Sequence, residues 1–191
     1  MGLFGKNGSG KSTLLKLMYG TLNGGSVKMS IDKVLIRTDE VIPKQLIAYL
    51  PQHPFLPRRT LVRDVIPMYY TEQQKQDAIF YDPFVATFTN NRINELSIGQ
   101  QRYLALHLLS QLPHPFLLLD EPLSMIDPLQ KEPLKELMHK VKLEKGVIVT
   151  DHYYNDVLDI TTKNIVLKEG ISHPISSEED LAEMGYLRKR K

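Results

Sequence analysis

Short apolar runs recur along the chain at 31–36, 46–50, 116–119, 147–150 and 165–167, each closed by polar or turn-forming residues, and they read as strands. Most are continuous rather than alternating, as in strands buried on both faces of a parallel sheet. Between them, 11–19, 100–112 and 128–141 carry apolar residues at the three- and four-residue spacing of amphipathic helices. The interleaving predicts an α/β fold, a mainly parallel sheet flanked by helices. From 56 to 94 the pattern turns mostly helical, with a Gln-rich polar stretch at 72–76. This predicts a core built from 1–52 and 97–175, an inserted helical subdomain at 53–96, and a C-terminal helix with a basic tail at 176–191. Ser176 stands three residues before Glu179 and ahead of Leu181, the spacing of a capping box. The closing Arg188-Lys189-Arg190-Lys191 reads as a solvated end.

Composition narrows the function classes. At 191 residues, against roughly 150 per domain, the chain is about one compact unit. Lys and Arg number 24 and Asp and Glu 22, so the net charge of +2 supplies no basic field for nucleic acid, and none is expected as a partner. Cysteine is absent, which excludes disulfides, thiolate metal sites and a cysteine nucleophile and fits a reducing, cytoplasmic compartment. No apolar run approaches the roughly 18 residues of a membrane helix, and no targeting leader is evident. Five of the histidines, His53, His107, His114, His139 and His173, lack zinc-ligand spacing. The pairs Tyr69-Tyr70 and Tyr153-Tyr154 read as packing or surface residues.

Gly5-Lys6-Asn7-Gly8-Ser9-Gly10-Lys11-Ser12 satisfies G-x-x-x-x-G-K-[ST], follows the apolar Leu3-Phe4 and leads into a helix. Glycines let backbone N–H groups curl around phosphate oxygens, and the helix N-terminus adds partial positive charge. Lys11 supplies a full charge for the β- and γ-phosphates, and Ser12 a hydroxyl for Mg²⁺, while Thr13 completes the binding stretch. Further on, Phe116-Leu117-Leu118-Leu119 ends in Asp120-Glu121-Pro122. Two carboxylates at the end of a buried strand need a cation or an opening to solvent, which makes Asp120 the Mg²⁺ partner and Glu121 the base or orienter for water.

Leu96-Ser97-Ile98-Gly99-Gln100-Gln101-Arg102 resembles the LSGGQ signature of ATP-binding-cassette ATPases, with Ser97 lying 23 residues before Asp120. Other elements of that family appear in its order. Gln52 after Tyr49-Leu50-Pro51 looks like the Q-loop, Ser124-Met125-Ile126-Asp127 like the D-loop, and His152 in Thr150-Asp151-His152 like the switch histidine. The resemblance implies a P-loop NTPase (RecA-like) core that binds ATP and Mg²⁺. It assigns catalysis to Glu121, His152 and Gln52, and the metal to Ser12, Gln52 and Asp120. ATP falls to Gly5, Asn7, Gly8, Ser9, Gly10, Lys11, Ser12 and Thr13. It further implies a head-to-tail homodimer or cassette heterodimer, in which Ser97, Ile98, Gly99 and Gln100 of one copy cap the nucleotide of the other and Asp127 lies in the D-loop.

Three departures from the family pattern shape the expectations. Members normally carry two antiparallel strands before the phosphate loop, with an aromatic residue that stacks on adenine; here the loop begins at Gly5. The expectation is a short leading strand and a weakly held base, from either a late start or a reduced variant. Ile98 replaces a glycine, and a β-branched residue suits poorly the left-handed backbone and close approach that glycine permits, but with Ser97 and Gly99 retained the change reads as tolerated variation. The 45 residues from Gln52 to Ser97 leave room only for a compact helical insert. The function expected is the ATP-hydrolysing subunit of an ABC transporter, peripheral on the cytoplasmic face and docked to separate membrane-spanning subunits. The alternatives are a soluble cassette ATPase in translation or assembly, and a regulatory module that binds nucleotide with little turnover.

Overall fold

The computed structural model describes residues 1–22 and 27–186. Six strands form one sheet: β1 (Gly2–Phe4), β4 (Ile47–Leu50), β5 (Phe116–Asp120), β6 (Gly146–Thr150), β7 (Asn164–Lys168) and β8 (Ile171–Ile175), in the order β4-β5-β6-β1-β7-β8. The first five are parallel, and β8 returns antiparallel to β7. Pro174 removes a backbone donor from β8, which the edge position tolerates.

The sheet is apolar on both faces because alternate residues serve different cores. Phe4, Leu50, Leu117, Leu119, Val149 and Val166 point to one side, against α4 (Ile98–Ser110), α5 (Pro128–Glu144) and α6 (Tyr154–Ile160). Leu3, Ile47 and Leu118 point to the other, with Leu15 of α1 (Lys11–Tyr19). Residues 53–96 add no strand to the sheet. They form α2 (Val62–Tyr69), α3 (Gln73–Phe80) and the 3₁₀ turns Val85–Phe88 and Ile93–Glu95. Val65, Ile66, Ile79 and Phe88 from this stretch join the core that holds Leu104 and Leu108 of α4.

Several element boundaries differ from the sequence expectation. The run at 31–36 is not a strand of the main sheet but most of a separate hairpin, β2 (Met29–Ile31) and β3 (Val34–Ile36). Asp32 and Lys33 turn it with φ of 49° and 69°, the two positive values of a primed hairpin turn, although neither is glycine. Val34 and Leu35 are consequently 63% and 75% exposed. The signature helix begins at Ile98 and not near Gln100, because Ser97 caps it: Ser97 Oγ accepts from Gln100 N at 3.1 Å, and Ser97 N donates to Gln100 Oε1 at 2.9 Å. The C-terminal capping box is one residue later than expected, at Ser177 and Asp180, ahead of α7 (Glu178–Glu183). Asp180 Oδ2 accepts from both Ser176 N and Ser177 N, so the aspartate selects the second serine. The basic residues Arg188, Lys189, Arg190 and Lys191 lie outside the described residues.

Two contacts fix α4. Gly99 lies against α5, where an added Cβ would come 2.5 Å from Gln130 Oε1 and 3.0 Å from Gln130 Cβ. Asp82, after α3, accepts from Tyr103 Oη at 2.8 Å and lies 3.6 Å from His107 Nε2. Burial pushes the His107 imidazole below its ordinary 6.5, with Asp82 opposing and Lys140 reinforcing. The folded protein therefore resists a proton that the unfolded chain accepts below 6.5, so this stability is fully present above 6.5 and is lost as pH falls from there through the lower folded value.

Gly99→Ala should destabilise the fold by roughly 1–3 kcal/mol in denaturant titration, through overpacking, whereas an open helical site gains about 1 kcal/mol from the same change. The drop in thermal midpoint between pH 8 and pH 5.5 should be smaller in His107→Gln than in the parent.

Candidate active site

The phosphate loop spans 5–10, between β1 and α1. Gly5 is required by packing, since a Cβ there would come 2.4 Å from Ser9 Oγ and 2.7 Å from the Leu167 carbonyl. Gly10 takes φ of 96° as the N-cap and offers no side chain to close the helix, so the first-turn N–H groups of α1 face the loop. Lys11 is buried and donates from Nζ to the Gly5 carbonyl at 2.7 Å and the Lys6 carbonyl at 3.3 Å. Burial lowers its pKa, and the charges of Glu121 and Asp120 hold it up. Ser9 Oγ is buried with no hydrogen-bond partner, and Asn7, Gly8 and Thr13 are exposed. Uncapped donors, an orphaned hydroxyl and a buried ammonium fit a polyphosphate.

At the end of β5, Asp120 is only 1% exposed, yet three hydroxyls reach it. Ser12 Oγ donates to Oδ1 at 2.9 Å, Thr150 Oγ1 to Oδ1 at 3.0 Å and Tyr49 Oη to Oδ2 at 2.8 Å. Burial first, then the bond and charge of Asp120, drive the Tyr49 phenol far above its ordinary value, so it remains a donor. Among the described residues no three His, Cys, Asp or Glu gather as a metal cage. The Ser12–Asp120 pair instead suits Mg²⁺, which commonly takes one or two carboxylates and completes its shell with water and phosphate oxygens.

Glu121 leaves the strand with φ of 52°, a left-handed turn that is uncommon for a non-glycine residue. Thr150 secures it: Glu121 N donates to the Thr150 carbonyl at 2.8 Å and lies 3.2 Å from Thr150 Oγ1. That turn brings the carboxylate to three partners. Gln52 Nε2 donates to Oε2 at 2.8 Å, Ser124 Oγ lies 3.2 Å from the same oxygen, and His152 Nε2 lies 3.1 Å from Oε1. Gln52, Glu121 and His152, far apart in sequence, thus converge beside Asp120 and Ser12.

The segments carrying them are anchored from behind. Asp151 is fully buried and accepts from Leu123 N at 2.7 Å, Ser124 Oγ at 3.2 Å, His152 N at 2.7 Å and Tyr153 N at 3.2 Å, joining the start of the D-loop to the histidine segment. Burial raises its pKa, and these backbone bonds oppose the rise. Arg102 of α4 extends its guanidinium to the carbonyls of Pro51 and Gln52. Burial lowers its pKa, with Asp151, Asp120 and Glu121 opposing.

The signature residues gather elsewhere. Ser97 Oγ donates to Gln130 Oε1 at 2.8 Å, and the described polar contacts of Ser97 and Gln100 do not reach 5–13. Ile98 occupies the first helical position, outside the positive-φ residues, so its backbone places no demand for glycine there. Asp127 caps α5, accepting from Leu129 N at 2.9 Å. Sequence reasoning missed Tyr49, Thr150, Asp151, Arg102 and Gln130 as site residues. Tyr49, Thr150 and Asp151 adjoin the motifs, but only the fold shows what they touch.

Residues 1–124 match the family model described as ABC transporter. The lipopolysaccharide export system ATP-binding protein LptB of Acidithiobacillus ferridurans is 24% identical over 99% of this chain and 83% of its own length. The thiamine import ATP-binding protein ThiQ of Photobacterium profundum is 29% identical over 88% of this chain and 73% of its own. Among solved structures, a nucleotide-free ATP-binding cassette from an ABC transporter superposes with a TM-score of 0.78 at 18% identity, covering 98% of this chain and 84% of that one. With the family model spanning well over half of the sequence, the chain belongs to the ABC transporter family, as an ATP-binding cassette ATPase.

Proposed function

We propose that this chain is the ATP-hydrolysing subunit of a transporter whose membrane-spanning parts are separate polypeptides, and that it works as a dimer on the cytoplasmic face of the membrane. The observation that carries the reading is the convergence of Gln52, Ser124 and His152 on the Glu121 carboxylate, one residue from the buried Asp120–Ser12 pair. In this reading the loop N–H groups and Lys11 hold the triphosphate, and Ser12 and Asp120, with Gln52, hold Mg²⁺. The metal when bound offsets phosphate charge and polarises the γ-phosphoryl group.

Glu121 takes a proton from the attacking water, while Gln52 and His152 fix its carboxylate. Ser97, Ile98, Gly99 and Gln100 of a second copy cap the γ-phosphate, with Asp127 at the interface, so hydrolysis removes what holds the dimer closed. Residues 53–96 form the helical subdomain that passes this motion to the membrane partner, with the surface around 54–64 as its docking groove. The names of LptB and ThiQ, exporter and importer components, support a transport role without choosing a direction. Among the described residues no helix is long and apolar enough to cross a membrane, consistent with a separate membrane partner.

Steady-state Mg-ATP hydrolysis and nucleotide binding test the reading. Glu121→Gln should lower turnover by roughly 10²- to 10⁴-fold while still binding ATP, and Lys11→Ala should lose binding and turnover together. Parent protein that binds ATP without hydrolysing it would contradict the assignment and favour a regulatory module.

A further inference from the structure

Lys131, in the first turn of α5, is 7% exposed although it carries a charge. Its ammonium lies 2.9 Å from the centroid of the Tyr153 ring and 3.3 Å from Asp156 Oδ2. A π face and one carboxylate are what make a buried lysine tolerable. Tyr153 follows His152 directly and immediately precedes α6, so Lys131 grips the segment that presents the histidine. That segment is held on its other side by Asp151, whose carboxylate accepts the backbone N–H of both His152 and Tyr153.

The contact is the innermost rung of a charge ladder between α5 and α6. Lys135 meets Asp156 at 3.4 Å and Asp159 at 3.1 Å, and His139 meets Asp159 at 3.6 Å. Lys135 is also largely buried, at 15% exposed, and only the outermost rung is wet, with His139 at 38% and Asp159 at 54%; exposed pairs contribute little. Lys131 differs from Lys135 because it alone lies over a ring, and that ring adjoins the site. His152 itself is 42% exposed, and its Nε2 lies 3.1 Å from Glu121 Oε1, so packing does little to fix the imidazole. Its place depends on the backbone at 151–153.

We propose that Lys131 is a positioning residue for hydrolysis: by clamping the Tyr153 ring it fixes the backbone of the histidine segment and keeps His152 Nε2 on Glu121. The inference rests on the catalytic reading of Glu121 and His152 given above. It assigns Lys131 no contact with nucleotide.

The test compares the parent with Lys131→Met, Lys131→Arg and Asp159→Asn. Methionine keeps the length and apolar stem, and Lys135 remains to pair Asp156, so the fold should persist. Lys131→Met should lower kcat roughly tenfold, leave the KM for Mg-ATP within about twofold, and move the His152 ring resonances in ¹⁵N-histidine NMR while those of the distant His114 stay in place. Arginine, also a cation over the ring, should restore both readouts, and Asp159→Asn should alter neither.

A folded Lys131→Met protein with parental kcat and unmoved His152 resonances would overturn the proposal and leave Lys131 a packing residue. A parent without turnover would defeat the catalytic reading instead. The His152 resonances would then still decide whether Lys131 positions the histidine.

Discussion

A carboxylate with almost no access to water is costly unless it is thoroughly bonded, and Asp120 is the most consequential such group in this fold. Its stabilisation comes from three hydroxyls on three elements, Tyr49 of β4, Ser12 of α1 and Thr150 of β6. Hydrogen bonds to a charged group contribute about 1.5–3 kcal/mol each, enough to offset much of the burial cost. Because β4 and β6 flank β5, the bonds also depend on strand register: Leu50 pairs with Leu119, and Asp120 with Thr150. A slip of one residue would turn Asp120 to the opposite face.

Thr150 extends this constraint to the chemistry. The hydroxyl that donates to Asp120 is also 3.2 Å from Glu121 N, and the Thr150 carbonyl receives the same N–H. Glu121 is thereby held in a left-handed turn that lifts its carboxylate out of the strand direction, to where Gln52 and His152 reach it. The helices then act as supports for the site. Arg102 carries the placement of Gln52 into α4, Asp151 ties His152 to the D-loop, and Gln130 of α5 holds the signature serine.

Local, contiguous features were legible in the sequence, and features made by distant residues were not. The phosphate loop is continuous, and its glycines and Lys-Ser pair state their chemistry directly. The strands at 46–50, 116–119, 147–150 and 165–167 were legible because burial on both faces demands unbroken apolar runs. The run at 31–36 misled because its turn is Asp32-Lys33, a pair without the glycine that usually marks a primed turn. At Ile98 the concern over a left-handed backbone falls away, since the residue sits in the first turn of a helix. Thr150 and Tyr49 read as ordinary strand residues, and their bonds to Asp120 span 30 and 71 positions. Gln130 lies 33 positions from Ser97 and adjoins it only because Gly99 lets α4 and α5 come close.

The most direct measurement is the Mg-ATP turnover of Thr150→Val beside that of Thr150→Ser, with nucleotide binding followed in both. Valine preserves shape and strand propensity while removing the hydroxyl shared by Asp120 and Glu121. The account predicts that valine lowers turnover by at least about tenfold, consistent with losing a charged hydrogen bond of roughly 1.5–3 kcal/mol, and that serine retains most of it. Parental turnover in Thr150→Val would contradict the claim that this hydroxyl holds the catalytic pair in place.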